Sequence, residues 1–528
     1  MKNIVLLLTL VSFELAIAQE TIGLVYNDVN ASKSNGYTLF NTLSDDRVYL
    51  INNCGEAINQ WDFSGHISRQ AYLLENGNLL QSNSNRADIR DWNNNVLWGI
   101  NFMDVLGFSI HHDIEPLPNG NFLVLIRDTY TIAEMIAVGK DPAFTKDAID
   151  LERIVEIEPI GIDSAKIVWE WKLFDHLIQD FDASKPNFGN VSTNPQLLDI
   201  NYNNGNSFNP IHANAIDYNQ ELDQIAVSAR HLNEVFVIDH STTTKEAATH
   251  SGGIYGKGGD FLWRWGNPET YNQGTSADKK LGRQHDIKWI TEGPYKDKMS
   301  VFSNDGYGFD LRASSIHIID PKDSDGVYSL DSGKFLPKDY YWSYDGTILG
   351  EVMIESTRSG VQIMANGNAL INETSLGRIT EIDPSGNVIW VYIIPISDNS
   401  TYNQFDIPVG NGTFRAHRYP ENYAGFNNVT LKNTGIIENV NFISENCVKT
   451  LFVDNLSFNG LQVYPNPTKD VLNFNKPIDE IKVYDLSGKS VLNKKSSEFI
   501  NLEKLVDGLY FVKISIEGNS KFVKILKI

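Results

Sequence analysis

The sequence has 528 residues and a formal net charge of −22. This acidity argues against nucleic acid as a partner, because binding to phosphates requires basic surface. Aromatic residues are plentiful (10 Trp, 22 Tyr and 26 Phe), and Asn, Gly and Ser interrupt the chain at short intervals. This composition favours many short β-strands over long helices.

The first 18 residues have the features of a secretory signal. Lys2 supplies a positive start, residues 4–11 form a short apolar run, and Ala16-Ile17-Ala18 matches a small-residue cleavage site. The apolar run is too short to span a bilayer. We therefore expect residues 1–18 to be a signal peptide and the mature protein to be exported.

The last part of the chain differs from the rest in charge. From residue 461 onward it contains 11 Lys and 8 acidic residues, on a chain that is otherwise strongly acidic. Alternating strands separated by Asn-Pro, Ser-Gly and Glu-Gly-Asn turns predict a small β-sandwich over residues 456–528. The YPNP start, the DLSGK turn and the GLYFVKI close resemble the C-terminal sorting domain of proteins exported by the type IX secretion machinery.

Residues 19–455 repeat a pattern of hairpin followed by a tryptophan-bearing strand pair. The hairpins turn at Asn-Gly or similar pairs near Asn76, Asn119, Asn219, Gly293 and Asn366. The strand pairs carry six landmark tryptophans: Trp61, Trp98, Trp171, Trp265, Trp342 and Trp390. Repeats of this size predict an all-β fold, a six-bladed β-propeller.

The first tryptophan pair precedes any hairpin of its own. We expect the N-terminal strands around Trp61 to complete a blade that begins near residues 414–419, so that the ring is closed by both ends of the domain. This closure places the two cysteines, Cys54 and Cys447, in the same blade and favours a disulfide between them. Two unpaired buried thiols remain the alternative.

Three histidines and an arginine share a position relative to the hairpin turns. His112 and His212 each lie seven residues before the turn asparagine, His285 lies eight residues before Gly293, and Arg358 lies eight residues before Asn366. Residues that open the innermost strand of a blade surround one end of the central channel. Arg230 lies on the strand after the turn that follows His212 and is expected to pair back towards it; its guanidinium suits a tetrahedral oxyanion.

The sequence offers little for other site chemistries. It has no H-E-x-x-H zinc motif, phosphate-binding loop, dinucleotide fingerprint or G-x-S-x-G elbow. Asp113 and Asp286 follow their histidines directly and should face away from the channel. We therefore expect neither a metal nor a cofactor, and group transfer through a neutral imidazole remains.

Three segments resemble the signatures of the bacterial arylsulfotransferase family. They are HHDIEPLPNGNFLVLI, NPIHANAIDYNQELDQIAVSARH and GRQHDIKWI, in the order of that family, within a repeat pattern that matches over residues 36–430. The resemblance implies a six-bladed propeller that moves a sulfuryl group from a phenolic sulfate ester to a phenolic acceptor. It also implies a ping-pong route through a sulfated histidine, without a nucleotide donor.

By position, the resemblance implies that His285 is the nucleophile and that His112 serves as acid/base. His212 and Arg230 would hold the sulfuryl oxygens. Further substrate contacts are implied for Asn214, Arg358, Thr357 and His111. His111 competes with His112, and the shared turn spacing favours His112, because adjacent strand residues face opposite sides.

Two other functions fit the same residues. A hydrolase would use the same covalent histidine and release the group to water. A noncatalytic propeller would use the histidines to bind a sulfated glycan or a protein. Under each interpretation the protein is secreted or held at the cell surface, and it has no transmembrane span.

Overall fold

The hairpins predicted from the Asn-Gly turns recur as four-stranded antiparallel sheets. The computed structural model describes residues 22–28, 31–63, 69–202, 207–305, 313–403, 406–439, 461–485, 489–516 and 519–528. Within them the chain is nearly all β, and the longest α-helix has six residues. The predicted signal peptide, Cys447 and the boundary near residue 456 lie outside the described residues, so the Cys54–Cys447 disulfide stays a prediction.

Sheets 1 to 5 each begin with an innermost strand and continue outward in chain order. Sheet 1 comprises Gln70–Leu73, Leu79–Ser82, Arg86–Arg90 and Val96–Asn101. Sheet 2 comprises Ile114–Pro116, Phe122–Thr131, Ala148–Ile160 and Ser164–Lys172. Sheet 3 comprises Ala213–Asn219, Gln224–Ala229, Glu234–Asp239 and Trp263–Trp265. Sheet 4 comprises His285–Trp289, Met299–Ser303, Ser315–Ile319 and Trp342–Tyr344. Sheet 5 comprises Gly360–Ile363, Ala369–Glu373, Arg378–Ile382 and Val388–Ile393, with Gly23–Asn27 added at its outer edge.

Sheet 6 joins the two ends of this region. Its innermost strand, Ala416–Pro420, pairs with Gly36–Asn41, which is followed by Arg47–Asn52 and Ala57–Asp62. The shared sheet predicted from the unmatched Trp61 pair is thus present, and it includes the strand expected near residues 414–419. Cys54 is half-buried in the turn between the last two strands of this sheet.

The remaining elements are short. The helices are Phe102–Leu106, Ile132–Ala137 and Thr244–Ala247, with 3₁₀ turns at Leu173–His176, Val191–Thr193, Pro268–Tyr271, Ser276–Asp278, Gly293–Tyr295 and Ala424–Phe426. Two-residue strands pair as Leu177–Ile178 with Leu198–Asp199, Asp323–Ser324 with Val327–Tyr328, Leu330–Asp331 with Lys334–Phe335, Thr347–Ile348 with Glu351–Val352, and Ile396–Ser397 with Ser400–Thr401. In the described part of the chain, no helix has the length and apolar character needed to cross a membrane.

The hydrophobic core is divided among the seams between successive sheets. Sheets 4 and 5, for example, share a buried cluster that includes Phe302 and Ile371, and sheets 5 and 6 share one that includes Trp390 and Phe40. Comparable clusters join sheets 1 and 2, 2 and 3, 3 and 4, and 6 and 1. Each sheet therefore buries both of its faces against its neighbours, as a ring of sheets requires.

The six landmark tryptophans all lie on the fourth strands, and their indoles bond across the seams. Each Nε1–H donates to a backbone carbonyl of the next sheet, at the start of its fourth strand or in the connection before that strand. The pairs are Trp61 with Asp91, Trp98 with Ser164, Trp171 with Gly259, Trp265 with Pro337, Trp342 with Pro384, and Trp390 with Asn53, at 2.7 to 3.2 Å. We call these six bonds the tryptophan latches.

The C-terminal residues form a separate five-stranded antiparallel sheet. Its strands are Val463–Tyr464, Val471–Tyr484, Ser490–Asn501, Gly508–Ile516 and Asn519–Lys527. The long second strand pairs with the third along much of its length, and its end also pairs with the fourth. All five strands belong to one sheet around one apolar core. The two separate sheets of a sandwich therefore stay a prediction.

Candidate active site

The histidines expected at the strand starts converge at one end of the innermost strands. His112 Nε2 lies 3.1 Å from His212 Nε2, and the ring of His111 lies 4.4 Å from that of His112 and 5.3 Å from that of His212, between centroids. His285 is the first residue of its strand and is 3% exposed. Burial lowers the pKa of His112, and electrostatic interactions with His111, His212 and His285 add to this effect.

The backbone leading into these strands is irregular. His112, His212 and Arg358 have φ values of +71°, +51° and +60°, in the left-handed region that non-glycine residues seldom adopt. Such conformations persist where the surrounding structure holds them, and they cluster at functional sites. The regular strand begins after each of these residues, at Ile114, Ala213 and Gly360.

This irregularity corrects the argument that His111 and His112 must face opposite sides. Opposite orientations require an extended strand, but the strand starts only at Ile114 and His112 is left-handed. Both rings therefore lie beside His212. His111 also contacts a carboxylate, with its Nδ1 3.1 Å from Glu152 Oε2, so it too has the partner expected of an acid/base histidine.

The hydrogen bonds of His285 define its tautomer. The Arg358 backbone N–H donates to His285 Nε2 at 3.1 Å, so that nitrogen carries the lone pair. His285 Nδ1 lies 2.6 Å from Asn304 Oδ1 and 3.1 Å from the Arg283 carbonyl, so Nδ1–H is the donor. The Asn304 amide donates to the carbonyls of Glu355 and Arg358, which confirms that its oxygen faces the histidine.

A second network orients the His112–His212 pair. Asn209 accepts the backbone N–H of His212 through Oδ1, so its Nδ2–H donates to His212 Nδ1 at 2.8 Å. His212 therefore carries its proton on Nε2 and donates it to His112 Nε2. The two imidazoles form a directed donor–acceptor pair.

Burial keeps these imidazoles neutral. Burial and the charges of His111 and His231 lower the pKa of His212 to about 3. Burial also holds the pKa values of His112 and His285 well below their usual range, with contributions from neighbouring histidines and, for His285, from Arg415. A neutral imidazole retains the lone pair that a nucleophile or a proton acceptor needs.

Cationic groups surround the cluster. The Arg230 backbone N–H bonds to the His212 carbonyl, which confirms the predicted pairing across the hairpin. Arg230 Nη1–H donates to His231 Nε2 at 2.7 Å, and His231 Nδ1–H donates to the Asn209 carbonyl at 2.8 Å. Partial desolvation and the charge of Arg358 lower the pKa of Arg69, and both of these arginine side chains are exposed.

The other predicted contacts lie farther from the imidazoles. Asn214 is fully buried and donates to the Gln284 carbonyl at 2.8 Å, so it holds the residue before His285. Thr357 is half-buried beside Arg358. Asp113 and Asp286 bind backbone N–H groups of the following sheets, at Ile216 and Val361, and Asp286 also pairs with Arg415. The expectation that these aspartates support the structure rather than face a ligand agrees with these bonds.

Several site residues are absent from the predictions made from the sequence. Asn304, Asn209 and Glu152 orient histidines from distant positions in the chain, and no repeat pattern marks them. His231 was open to inference, because it directly follows Arg230. His111, His112 and His212 have ligand nitrogens within 4.8 Å of one another, so the cluster also meets the distance requirement for a metal ion.

The opposite part of the channel has a different charge character. A cavity of about 530 Å³ is lined by residues from all six innermost strands: Tyr72, Glu115, Asp217, Lys288, Gln362 and His417. Lys288 Nζ lies 3.0 Å from both Glu115 Oε2 and Asp217 Oδ1. Burial lowers the pKa of Lys288, but these carboxylates outweigh it and raise that pKa above its usual range. The positive charge of Lys288 is thus already paired with carboxylates. An anionic ligand therefore meets unfavourable charge here and favourable, positive charge at the histidine end, where the arginines lie.

Two family models match the chain. One, described as arylsulfotransferase (ASST), matches residues 70–394, which is more than half of the sequence. The other, described as a secretion system C-terminal sorting domain, matches residues 462–528 and indicates that the protein is secreted or located at the cell surface. No curated protein matches the chain.

Solved structures resemble the chain only distantly. A Bacteroides caccae protein of unknown function has 14% identity and a TM-score of 0.37, covering 68% of this chain and 93% of its own. Catalytically inactive virginiamycin B lyase from Staphylococcus aureus has 12% identity and a TM-score of 0.32, covering 70% and 88%. A putative 6-phosphogluconolactonase from Bacteroides fragilis has 10% identity and a TM-score of 0.36, covering 74% and 100%. TM-scores this low carry no argument about function.

Proposed function

Because the chain belongs to the arylsulfotransferase family, we propose that it transfers a sulfuryl group from a phenolic sulfate ester to a phenolic acceptor through a sulfated His285. The main support is the tautomer of His285. Its Nδ1–H is held by Asn304 Oδ1, so Nε2 presents the lone pair beside a histidine pair and several arginines. The proposal includes a closed six-bladed propeller as the scaffold, which the seams between all successive sheets support.

In the first half-reaction, His285 Nε2 attacks the sulfur of the donor. The bond between sulfur and the phenolic oxygen breaks, and the phenol leaves as a phenolate that takes its proton from solvent, because the neutral His112–His212 pair has no acidic proton to give. The Arg358 N–H bonds to the Nε2 lone pair in the free protein, so this bond must break before attack. The freed N–H is then available to a sulfuryl oxygen.

In the second half-reaction, a phenolic acceptor replaces the departed phenol. The same histidine pair accepts the acceptor's hydroxyl proton, its oxygen attacks sulfur, and the bond between sulfur and Nε2 breaks. This returns neutral His285, and the pair releases the accepted proton to solvent, which balances the proton that the first phenolate took from solvent. Either His112 or His111 is suited to the proton transfer, since His111 Nδ1 lies 3.1 Å from the Glu152 carboxylate.

We propose that Arg230 stabilises charge on the sulfuryl oxygens, and that His212 joins it once its Nε2–H no longer bonds to His112. Preorganised donors near the reacting group are among the largest contributions to catalysis. Arg230 is oriented by His231, and His212 by Asn209. Arg69 and Arg358 lie nearer the surface, where they are suited to attract the anionic donor.

The assay uses 4-nitrophenyl sulfate with and without a second phenol. Nitrophenol release that depends on the acceptor supports transfer, with parallel double-reciprocal plots as expected for a ping-pong route. Release that is independent of the acceptor indicates a hydrolase, and absence of release indicates a binding protein. Activity that persists after chelator treatment separates imidazole chemistry from a metal at the histidine cluster.

Trapping identifies the nucleophile. Donor labelled with ³⁵S, added without acceptor, should label the protein with acid-labile, base-stable radioactivity on the peptide that contains His285. The label should be absent in His285→Ala and should leave the wild type when phenol is added. Label on another residue, or full transfer activity in His285→Ala, contradicts the assignment.

Export follows from the C-terminal domain. We propose that residues 1–18 direct the chain across the inner membrane and that residues 462–528 are recognised by the type IX secretion machinery. Deleting the C-terminal domain should leave the protein in the periplasm, as fractionation would show.

A further inference from the structure

A second cluster of ligand atoms lies away from the channel, at the seam between sheets 2 and 3. His176 closes the 3₁₀ turn that follows the last strand of sheet 2. His250 and Asp260 lie in the connection between the third and fourth strands of sheet 3. The three ligand atoms lie within 4.8 Å of one another.

The two imidazoles meet at one carboxylate oxygen. His176 Nδ1 lies 2.8 Å from Asp260 Oδ1, and His250 Nδ1 lies 2.7 Å from the same oxygen. His176 Nε2 lies 2.8 Å from the Ala247 carbonyl, which can only accept, so Nε2 carries a proton. In the neutral imidazole, the Nδ1 lone pair therefore points at a carboxylate oxygen.

A cation between these atoms resolves that conflict. Histidine ligands of metals commonly donate their other ring N–H to a backbone carbonyl, which fixes the tautomer. Two histidines and one carboxylate are a frequent ligand set for zinc. At ordinary zinc–ligand lengths, adjacent ligand atoms lie about 3.3 Å apart, so binding would separate these atoms by roughly half an ångström.

The surroundings hold His176 in place. Its side chain is fully buried, and its ring stacks on Trp171 at 5.7 Å with an interplanar angle of 4°. A side chain at Gly259 would begin 2.5 Å from His176 Nε2, so only glycine admits the ring here. His250, by contrast, is 60% exposed in its side chain, and it lines a groove of about 330 Å³ together with Asp175.

We propose that His176, His250 and Asp260 bind a divalent transition-metal ion, with Zn²⁺ the best fit, through His176 Nδ1, His250 Nδ1 and Asp260 Oδ1. Water or Asp175 completes the coordination from the groove. The ion joins the outer strand of sheet 2 to the long connection of sheet 3, beside the Trp171 latch. Its role is to stabilise this seam, and it is independent of the chemistry in the channel.

The test uses the full-length exported protein, stripped with chelator and titrated with ZnCl₂ or CoCl₂. The matched variants are His250→Ala, an exposed position whose loss leaves the core intact, and His212→Asn, which disables the histidine cluster in the channel. Wild type and His212→Asn should bind about one equivalent, show the visible absorption of four-coordinate Co²⁺, and gain about 2–4 °C in unfolding midpoint with Zn²⁺. His250→Ala should lose all three effects.

Other outcomes overturn the proposal. Binding that survives in His250→Ala but is lost in His212→Asn assigns the ion to the channel. Absence of saturable binding up to millimolar metal shows that the three residues only hydrogen-bond to one another. The Asp260→Asn variant provides an independent check, because it removes the shared carboxylate and should weaken Co²⁺ binding at least about tenfold.

Discussion

The outer and inner edges of the six sheets are built on opposite principles. At the outer edge, each of the six landmark tryptophans donates its indole N–H to a backbone carbonyl across the seam. At the inner edge the backbone leaves the regular strand, and His112, His212 and Arg358 have positive φ. Regular repetition stabilises the ring, whereas the irregular strand starts bring imidazoles from different sheets together.

A substitution at the inner edge should reduce activity without reducing stability, and this effect separates the two edges most clearly. We expect His285→Ala to reduce sulfuryl transfer by about 10³-fold or more, because the covalent step loses its nucleophile. His317→Asn is the matched control: it lies on the third strand of the same sheet and is hydrogen-bonded to Ser315 and Ser343. Steady-state kinetics should show near-normal kcat in the control, and equal losses in both variants would place His285 among structural residues.

A smaller effect is expected from the residue that orients the nucleophile. Asn304→Ala removes the acceptor of His285 Nδ1–H and should lower kcat about 10- to 100-fold with little change in KM. Asn304→Asp restores an acceptor and adds a charge that raises the pKa of His285. Since the nucleophile must be unprotonated, the acidic limb of kcat/KM should move to higher pH in Asn304→Asp. An unchanged pH profile would contradict this orienting role.

Substitution of a latch tryptophan should instead reduce stability without reducing activity. Trp390 is fully buried and bonds to the Asn53 carbonyl at 2.8 Å, across the seam between sheets 5 and 6. Trp390→Phe keeps much of the packing but leaves that carbonyl without its donor, which should cost about 1–3 kcal/mol of unfolding free energy. Denaturant unfolding measures this cost, with Trp92→Phe, a half-buried tryptophan outside the latches, as the control. Unchanged stability in Trp390→Phe would show that the latch bond does not stabilise the ring.

The smallest effect concerns pH and one outer histidine. Burial lowers the pKa of His240, but contacts with Asp223 (2.8 Å) and Glu156 (3.2 Å) outweigh it and raise the pKa to about 9. A histidine whose folded pKa is raised stabilises the fold below its unfolded pKa, and this stabilisation is lost as pH rises through the folded value. Unfolding free energy should therefore fall by about 2 kcal/mol between pH 6.5 and 9. In His240→Gln that slope should be reduced, and an identical slope would refute the assignment.

The repeats made the fold predictable and the site only partly so. Turn spacing brought out His112, His212, His285 and Arg358, because the hairpins repeat with little variation. It could not reveal that His112 is left-handed, since φ at a strand start depends on contacts with other sheets. For the same reason, the expectation that adjacent residues His111 and His112 face opposite sides does not hold. Asn304, Asn209 and Glu152 reach the histidines through tertiary contacts that leave no local pattern.

The shared construction of sheet 6 affects the order in which the chain folds. Residues 36–62 emerge early in synthesis, yet the strand that completes their sheet is Ala416–Pro420. Until then the edge at Gly36–Asn41 lacks its partner, and long-range pairing of this kind slows folding. The family match ends at residue 394, so a fragment cut there would carry every candidate catalytic residue and still lack the final strand. We infer that sheet 6 is completed only after Ala416–Pro420 has been synthesised. We also infer that the seam beside sheet 6 is the first to open under stress.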